Sequence, residues 1–97
     1  MNNQEINARI ATDVFELTPA GDGWFADAGG FYIPQVDYCN SIQHALDVAK
    51  KSNVSMQPLT DGWRAISVDD TSVANNHDVL ATAICMTALA IFDSKQV

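Results

Sequence analysis

Apolar residues recur at helical spacing in three stretches of the chain, so the pattern predicts three helices. The first helix is expected over residues 3–17, with Asn2 or Asn3 as its N-terminal cap. Its inward face consists of Ile6, Ile10, Ala11, Val14 and Leu17. Its outer face carries Arg9, Asp13 and Glu16. The pattern therefore indicates an amphipathic helix at the start of the chain.

The second and third helices differ in how much of their surface is apolar. Asn40 or Ser41 caps the second helix, which is expected to end near Ser52. Its predicted buried residues are Ile42, Ala45, Leu46 and Ala49. The third helix is expected over residues 78–93 and is apolar almost throughout. Because this segment is too short to span a bilayer, it predicts a helix buried in the protein core.

Between the helices, short apolar runs separated by turn residues predict two β-hairpins. The first hairpin pairs Trp24–Ala26 with Phe31–Gln35. The second pairs Val54–Leu59 with Trp63–Val68 about an Asp-Gly turn, which is a strong hairpin signal. Pro34 cannot donate a ladder hydrogen bond, and its strand is therefore expected at the edge of a sheet.

The order of these elements is α-β-β-α-β-β-α, which predicts a fold of the α+β class. The two hairpins would form an antiparallel sheet of about four strands, with the helices packed on it. The polar segment 69–77 is interpreted as a loop. With 97 residues and a mass of 10.5 kDa, the chain is expected to fold as a single domain over residues 1–97.

The chain is acidic, with a formal net charge of -7, and aspartate supplies all but two of its twelve acidic residues. Aspartate has a short side chain that loses little conformational entropy when it is held in place. No basic residue lies between Arg9 and Lys50, or between Arg64 and Lys95. Such a protein is expected to repel nucleic acid and anionic membranes and to attract basic protein surfaces.

The cysteines and the N-terminal residues indicate a cytoplasmic location. The first ten residues have no basic segment and no long apolar run, so they do not match a signal peptide. Cys39 and Cys85 are then expected to be free thiols in a reducing cytosol.

The residue types that carry metal binding or catalysis do not stand at the spacing that these functions need. Cys39, His44, His77 and Cys85 lack the close pairs typical of a structural zinc site. His44 follows Cys39 by five residues, which does not favour a nucleophile and its base, and the chain has no glycine-rich phosphate loop. The sequence therefore predicts a protein that is not an enzyme and that uses no metal or other cofactor.

Aromatic residues are concentrated in the first hairpin and the turn after it. Five of the eight lie between Gly21 and Asn40, together with three aspartates and no cation. Alternation along the strands places Trp24, Phe31 and Trp63 in the expected core. The expected outer rings are Phe25, Tyr32 and Tyr38. Tyrosine is frequent at protein contacts because it offers a large area at low entropic cost and a polar tip.

Four segments, in this order, resemble the small phage and prophage proteins of the phage ABA-sandwich type. The segments are EINARIA, DYCNSIQHALDVA, GWRAISV and ATAICMTALA, with a tryptophan in each hairpin. This likeness extends over nearly the whole chain. It implies a protein of phage origin, and it carries over no catalytic residues.

Within this group, the length and the acidic character are similar to those of an anti-CRISPR inhibitor of the type I-F (Csy) surveillance complex. The resemblance implies a protein that acts in the host bacterial cytoplasm and blocks target DNA binding as an acidic mimic of duplex DNA. Its implied partner is the DNA-binding channel of the complex, with no direct contact to nucleic acid or membrane. Duplex DNA carries one negative charge per roughly 1.7 Å of axis, and fixed carboxylates can bind the same cations.

The candidate partner-binding residues are chosen because no basic residue lies near the first-hairpin acids in the sequence. The predicted site consists of the acids of the first hairpin and the turn after it, Asp22, Asp27 and Asp37, with Tyr32, Tyr38, Asp69 and Asp70 as expected neighbours.

Two other function classes remain open at the level of sequence. A phage sponge that sequesters a host nucleotide immune signal would stack the base on Trp24 or Trp63, but the five basic residues are dispersed along the chain. A regulator or structural phage protein would self-associate through the alanine-rich last helix.

Overall fold

Three helices, one π-helical turn and six short strands make up the fold in the computed structural model, which describes residues 1–96. The helices are α1 (Asn3–Arg9), α2 (Ile42–Ser52) and α3 (Leu80–Ser94), and the π-helical turn is Ile10–Val14. The strands are β1 (Thr18–Pro19), β2 (Trp24–Ala26), β3 (Tyr32–Pro34), β4 (Val54–Leu59), β5 (Gly62–Ser67) and β6 (Ala74–His77).

The strands form two antiparallel sheets of three strands each, which we call the first sheet (β1-β2-β3) and the second sheet (β4-β5-β6). The predicted α+β class is confirmed, and so are both hairpins and the edge position of the strand that contains Pro34. The prediction of one sheet of about four strands is wrong, because β1 and β6 each add a third strand to their own hairpin.

Strand β6 lies in the segment that was expected to be a loop. Its sequence, ANNH, has no apolar alternation, but it pairs with Trp63–Ile66 of β5. Polar contacts stabilise this strand, since Asn75 Nδ2 donates to Thr87 Oγ1 at 3.3 Å and Arg64 Nε donates to Asn76 Oδ1 at 3.0 Å. The loop interpretation is therefore wrong for the second half of residues 69–77.

The first helix is shorter than its apolar pattern predicts. Asn2 caps it as expected, with Oδ1 accepting from the Glu5 N–H at 2.8 Å. After Arg9 the backbone hydrogen bonds span five residues instead of four, which is the π-helical pattern. The Phe15 N–H thus donates to the Ile10 carbonyl oxygen at 3.2 Å. The chain then reverses at Glu16, whose φ of 58° lies in the left-handed region. A residue in this conformation cannot continue a right-handed helix, so the helical segment ends before residue 17.

Helix α3 forms the centre of the core, as the sequence predicts. Eight of its residues are buried, including Ile84 and Cys85. Its two threonines satisfy their hydroxyls internally: Thr82 donates to the Cys39 carbonyl oxygen at 2.9 Å and Thr87 to that of Ala65 at 3.0 Å. These bonds tie α3 to the loop before α2 and to the second sheet. Among the helices in residues 1–96, none combines the length and apolar character needed to cross a membrane.

Helix α2 has the expected boundaries but an unexpected orientation. Ser41 caps it and it ends at Ser52. Its buried residues are Ala45, Val48 and Ala49. Ile42 and Leu46, which were expected to be buried, are 46% and 40% exposed. The helix turns its smaller side chains toward α3, which allows the two helix backbones to approach closely, and the larger pair therefore lies at the surface.

Candidate functional site

The first sheet has an inner face toward the core and an outer face toward solvent. Its register sets Phe25 opposite Ile33, and it sets Trp24 opposite Pro34. Because successive side chains alternate between faces, Phe25 and Ile33 share one face, and Trp24, Pro34 and Tyr32 share the other. Phe25 is buried, whereas Trp24 is 48% exposed and Tyr32 is 70% exposed. The outer face is therefore aromatic and open to solvent.

Three of the expected positions of aromatic rings in this region are wrong. Trp24 and Phe31 were expected in the core, but both are exposed, and Phe25, expected outside, is buried. Two adjacent apolar residues at the start of a three-residue strand do not reveal which of them points inward, and the fold chooses Phe25. Phe31 lies against the turn, where an added Cβ at Gly29 would stand 3.3 Å from its ring. Tyr32 is exposed as predicted.

Tyr38 lies in the core, so its predicted position on a binding surface is wrong. Its exposed fraction is 7%, and its ring stacks on that of Phe15 at a centroid distance of 5.6 Å. The His44 ring packs edge-on at 6.4 Å. Burial raises the pKa of the Tyr38 phenol. This residue holds the turn before α2 against the π-helical turn and is not available to a partner.

Asp37 is held in place by two asparagine side chains. Its Oδ1 accepts from Asn7 Nδ2 at 2.8 Å, and its Oδ2 accepts from Asn40 Nδ2 at 2.9 Å. Asn7 also accepts from the Cys39 N–H at 3.0 Å, so it joins α1 to this turn. The bonds from Asn40 and then Asn7 hold the pKa of Asp37 below its usual value. The carboxylate is therefore oriented while it keeps its full charge.

Asn7 is a positioning residue that the sequence interpretation missed. It is 6% exposed and lies on the helix face that also carries Ile6 and Ile10. A buried polar side chain needs hydrogen-bond partners inside the fold. An asparagine between two inward-facing isoleucines was the available signal, and it pointed to a link between α1 and another segment.

Asp27 and Asp22 lie at the two ends of β2. Asp27 shapes the hairpin turn, because its Oδ1 accepts from the Gly29 N–H at 2.9 Å and from the Phe31 N–H at 3.0 Å. Asp22 is exposed in the turn before Trp24. The two carboxylates therefore flank the exposed outer face of the first sheet.

Asp22 and Asp37 each line a shallow cavity beside α1. Two shallow cavities, of about 340 and 390 Å³, are bounded by α1 on one side, and Gln35 lines both of them. Asp22 lines the first cavity and Asp37 the second. We name the following residues, which lie on the first sheet or in the segments next to it, the first-sheet surface: Asp22, Trp24, Asp27, Tyr32 and Asp37.

Asp69 and Asp70 lie in a different part of the fold, between β5 and β6. Asn53, the C-terminal cap of α2, donates from Nδ2 to Asp69 Oδ2 at 3.2 Å. The Ser72 hydroxyl and N–H donate to Asp70 Oδ1 at 2.6 and 3.1 Å, and they hold the pKa of Asp70 below its usual value. Asp69 lines a cavity with Lys51. The structure therefore does not unite these two aspartates with the first-sheet surface.

Arg9 forms the salt bridges in the part of the chain that the structure describes. Its guanidinium binds Asp13 at 2.9 Å and Asp93 at 2.6 Å. The bond from Arg9 holds the pKa of Asp93 below its usual value. Since the chain has twelve acidic residues, ten are left without a salt bridge among residues 1–96. All the carboxylates of the first-sheet surface belong to these ten.

Metal-binding side chains are not assembled in the described residues, and neither cysteine thiol is exposed. Within residues 1–96, no set of three or more His, Cys, Asp and Glu side chains is arranged to hold a metal ion. Cys39 and Cys85 are free and fully buried, and burial raises the pKa of both thiols. A buried thiol with a raised pKa is a poor nucleophile at neutral pH.

Comparison with known proteins relates the chain to a phage protein through its fold. No protein-family model and no curated protein matches the chain. The fold is similar to that of a phage protein from Bacillus cereus ATCC 14579, known from a 2.0 Å crystal structure, with a TM-score of 0.75 and 22% sequence identity. The match covers 96% of this chain and 89% of that one. The chain thus shares the fold of a small phage protein over almost its whole length.

Proposed function

We propose that the protein is a non-enzymatic anti-CRISPR inhibitor that binds the DNA-binding channel of the type I-F (Csy) surveillance complex as an acidic mimic of duplex DNA. The observation that carries the proposal is the set of ten acidic residues without a salt bridge in residues 1–96. The fold shared with a phage protein and the resemblance to phage ABA-sandwich proteins support a phage origin.

Neutral donors suit this role because they fix a carboxylate without cancelling its charge. Asp27 is held by backbone N–H groups, Asp37 by asparagine side chains and Asp70 by a serine. An ionised carboxylate has about four lone-pair sites, so each retains sites for an incoming lysine or arginine. Charge-assisted bonds of this kind are roughly twice as strong as neutral ones. The oriented aspartates are therefore suited to cations that normally bind phosphates.

The nucleotide-sponge alternative is less well supported by the arrangement of cations. Lys51 and Lys95 line a cavity of about 230 Å³, but Asp13 and Asp69 line it as well. Carboxylates beside a phosphate repel it, which lowers the affinity for a nucleotide. The guanidinium of Arg9 is already bound by two aspartates.

Competition with DNA tests the proposal. The protein is added to purified surveillance complex that holds labelled target duplex, and displacement is followed by fluorescence anisotropy. We expect displacement whose apparent affinity falls strongly as the salt concentration rises, because exposed charges are screened. Retention of the duplex at saturating protein and low salt would refute the proposed function.

A matched pair of double variants tests the site. Asp22→Asn with Asp37→Asn removes two charges from the first-sheet surface and should weaken displacement by about tenfold or more, since hydrogen bonds to charged groups contribute about 1.5–3 kcal/mol. The control, Asp47→Asn with Asp61→Asn, removes two exposed charges elsewhere. Equal effects of the two pairs would mean that net charge alone matters and that the first-sheet surface is not the site.

A further inference from the structure

The outer face of the first sheet presents two aromatic rings as diagonal neighbours across two strands. Trp24 is paired with Pro34, and Tyr32 lies two residues before Pro34 on the same face. Diagonal neighbours of this kind are about 7–8 Å apart, within the reach of aromatic side chains. The aromatic pairs within residues 1–96 are Phe15 with Tyr38 and Tyr38 with His44, so Trp24 and Tyr32 stack on no other ring. Both side chains are exposed, Trp24 by 48% and Tyr32 by 70%.

The charge around these rings is negative. Asp22 and Asp27 flank the face, and neither forms a salt bridge within residues 1–96. No basic residue lies between Arg9 and Lys50 in the sequence. Arg9 lines the same cavity as Asp22, but its guanidinium binds Asp13 and Asp93. The complementary occupant of this face is therefore a cation from another molecule.

We propose that the outer face of the first sheet binds an arginine side chain of the target protein, with the guanidinium between the Trp24 and Tyr32 rings and paired with Asp22 or Asp27. This inference rests on the proposed function, in which the partner is a basic DNA-binding surface. A planar group that contacts a ring on each side needs about 3.5–4.0 Å per contact, which is compatible with a diagonal spacing of about 7–8 Å.

Arginine fits this face better than lysine does. The guanidinium is planar and weakly hydrated, it stacks on aromatic faces, and it can bind a carboxylate through two parallel bonds. The ammonium group of lysine is compact and strongly hydrated, so it loses more hydration when it enters a gap between two rings. A preference for arginine over lysine at equal charge therefore distinguishes this pocket from general electrostatic attraction.

A second copy of this chain is a poorer occupant of the same face. Each copy carries a net charge of -7, and two faces flanked by aspartates would repel each other. The proposal thus predicts a monomer at low salt in the absence of a cationic partner.

Binding of oligo-arginine and oligo-lysine peptides of equal length tests the inference by calorimetry and by intrinsic tryptophan fluorescence. We expect tighter binding of oligo-arginine, and a loss of about tenfold in each of Trp24→Ala and Tyr32→Ala, as for a cation–π contact that excludes water. Ile42→Ala is the matched control. Ile42 is 46% exposed, close to the 48% of Trp24, and it lies on α2, outside the first sheet. Circular dichroism verifies that each variant is folded.

Several results would overturn the inference. These are equal binding of the two peptides, unchanged oligo-arginine binding in folded Trp24→Ala, or a dimer in sedimentation that Trp24→Ala dissociates.

The DNA competition separates the two proposals. If wild type and Trp24→Ala displace the duplex equally, the arginine pocket is wrong and the inhibitor function stands. If wild type displaces no duplex but binds oligo-arginine through Trp24, the inhibitor function is wrong and the pocket stands.

Discussion

The two sheets have the same number of strands and the same antiparallel order, but they relate differently to the core. The second sheet packs on α3, and its central strand buries Ala65 and Ser67. The first sheet contributes one buried strand residue, Phe25, and exposes Trp24 and Tyr32. The second sheet therefore covers apolar surface of α3, whereas the first carries aromatic rings and carboxylates to solvent, where we propose that the partner binds.

Removing a large core side chain of α3, the helix on which the second sheet packs, should have the largest effect. Ile84 is fully buried in α3, so Ile84→Ala leaves a cavity and should lower the free energy of unfolding by about 2–5 kcal/mol. Urea denaturation followed by far-UV circular dichroism measures this change. A loss smaller than that caused by Trp24→Ala would contradict the division between the two sheets.

Asn7 lies where the first-sheet surface meets the core, and its removal should have an intermediate effect. Asn7→Ala leaves the buried Cys39 N–H without its acceptor and removes one donor from Asp37, which should lower the free energy of unfolding by about 1–3 kcal/mol. The pKa of Asp37 should rise at the same time, which carboxyl NMR titration measures. Asn40→Ala is the control, since it removes the other donor to Asp37 and leaves the Cys39 N–H paired.

The same division explains which features were predictable from the sequence. Helix α3 and both hairpins follow from long apolar runs and an Asp-Gly turn, which are local signals. The third strand of each sheet does not, because Thr18–Pro19 and Ala74–His77 contain no apolar alternation and are defined by their neighbours. One sheet of four strands was expected because nothing in the local sequence says whether two hairpins share an edge.

The candidate site was predictable in its charge but not in its aromatic part. The lack of cations between Arg9 and Lys50 predicted carboxylates without a salt bridge, which holds for Asp22, Asp27 and Asp37 but not for Asp13, which Arg9 binds. It could not show that Tyr38 is buried, because that depends on a ring contact with Phe15 in another element. Nor could it choose between Trp24 and Phe25, since both suit either face of a short strand.

Acid should affect the first-sheet surface through Asp37. Its folded-state pKa is lowered, so its hydrogen bonds contribute stability that is fully present above the unfolded pKa of about 4. That contribution is lost as the pH falls through the folded-state pKa. The thermal midpoint of Asp37→Asn should therefore fall less steeply than that of wild type below about pH 4. Parallel profiles in differential scanning calorimetry would mean that Asp37 is not held by these bonds in solution.

The smallest effect on stability is expected at the residue with the largest proposed effect on binding. Trp24 is half exposed on the outer face, so Trp24→Ala should lower the free energy of unfolding by about 1 kcal/mol. Phe25→Ala, one residue further, should cost several times more, because that ring is buried. Urea denaturation of both variants compares the two faces directly. If Trp24 proves as costly to remove as Phe25, its ring supports the fold, and the outer face loses its distinction from the core.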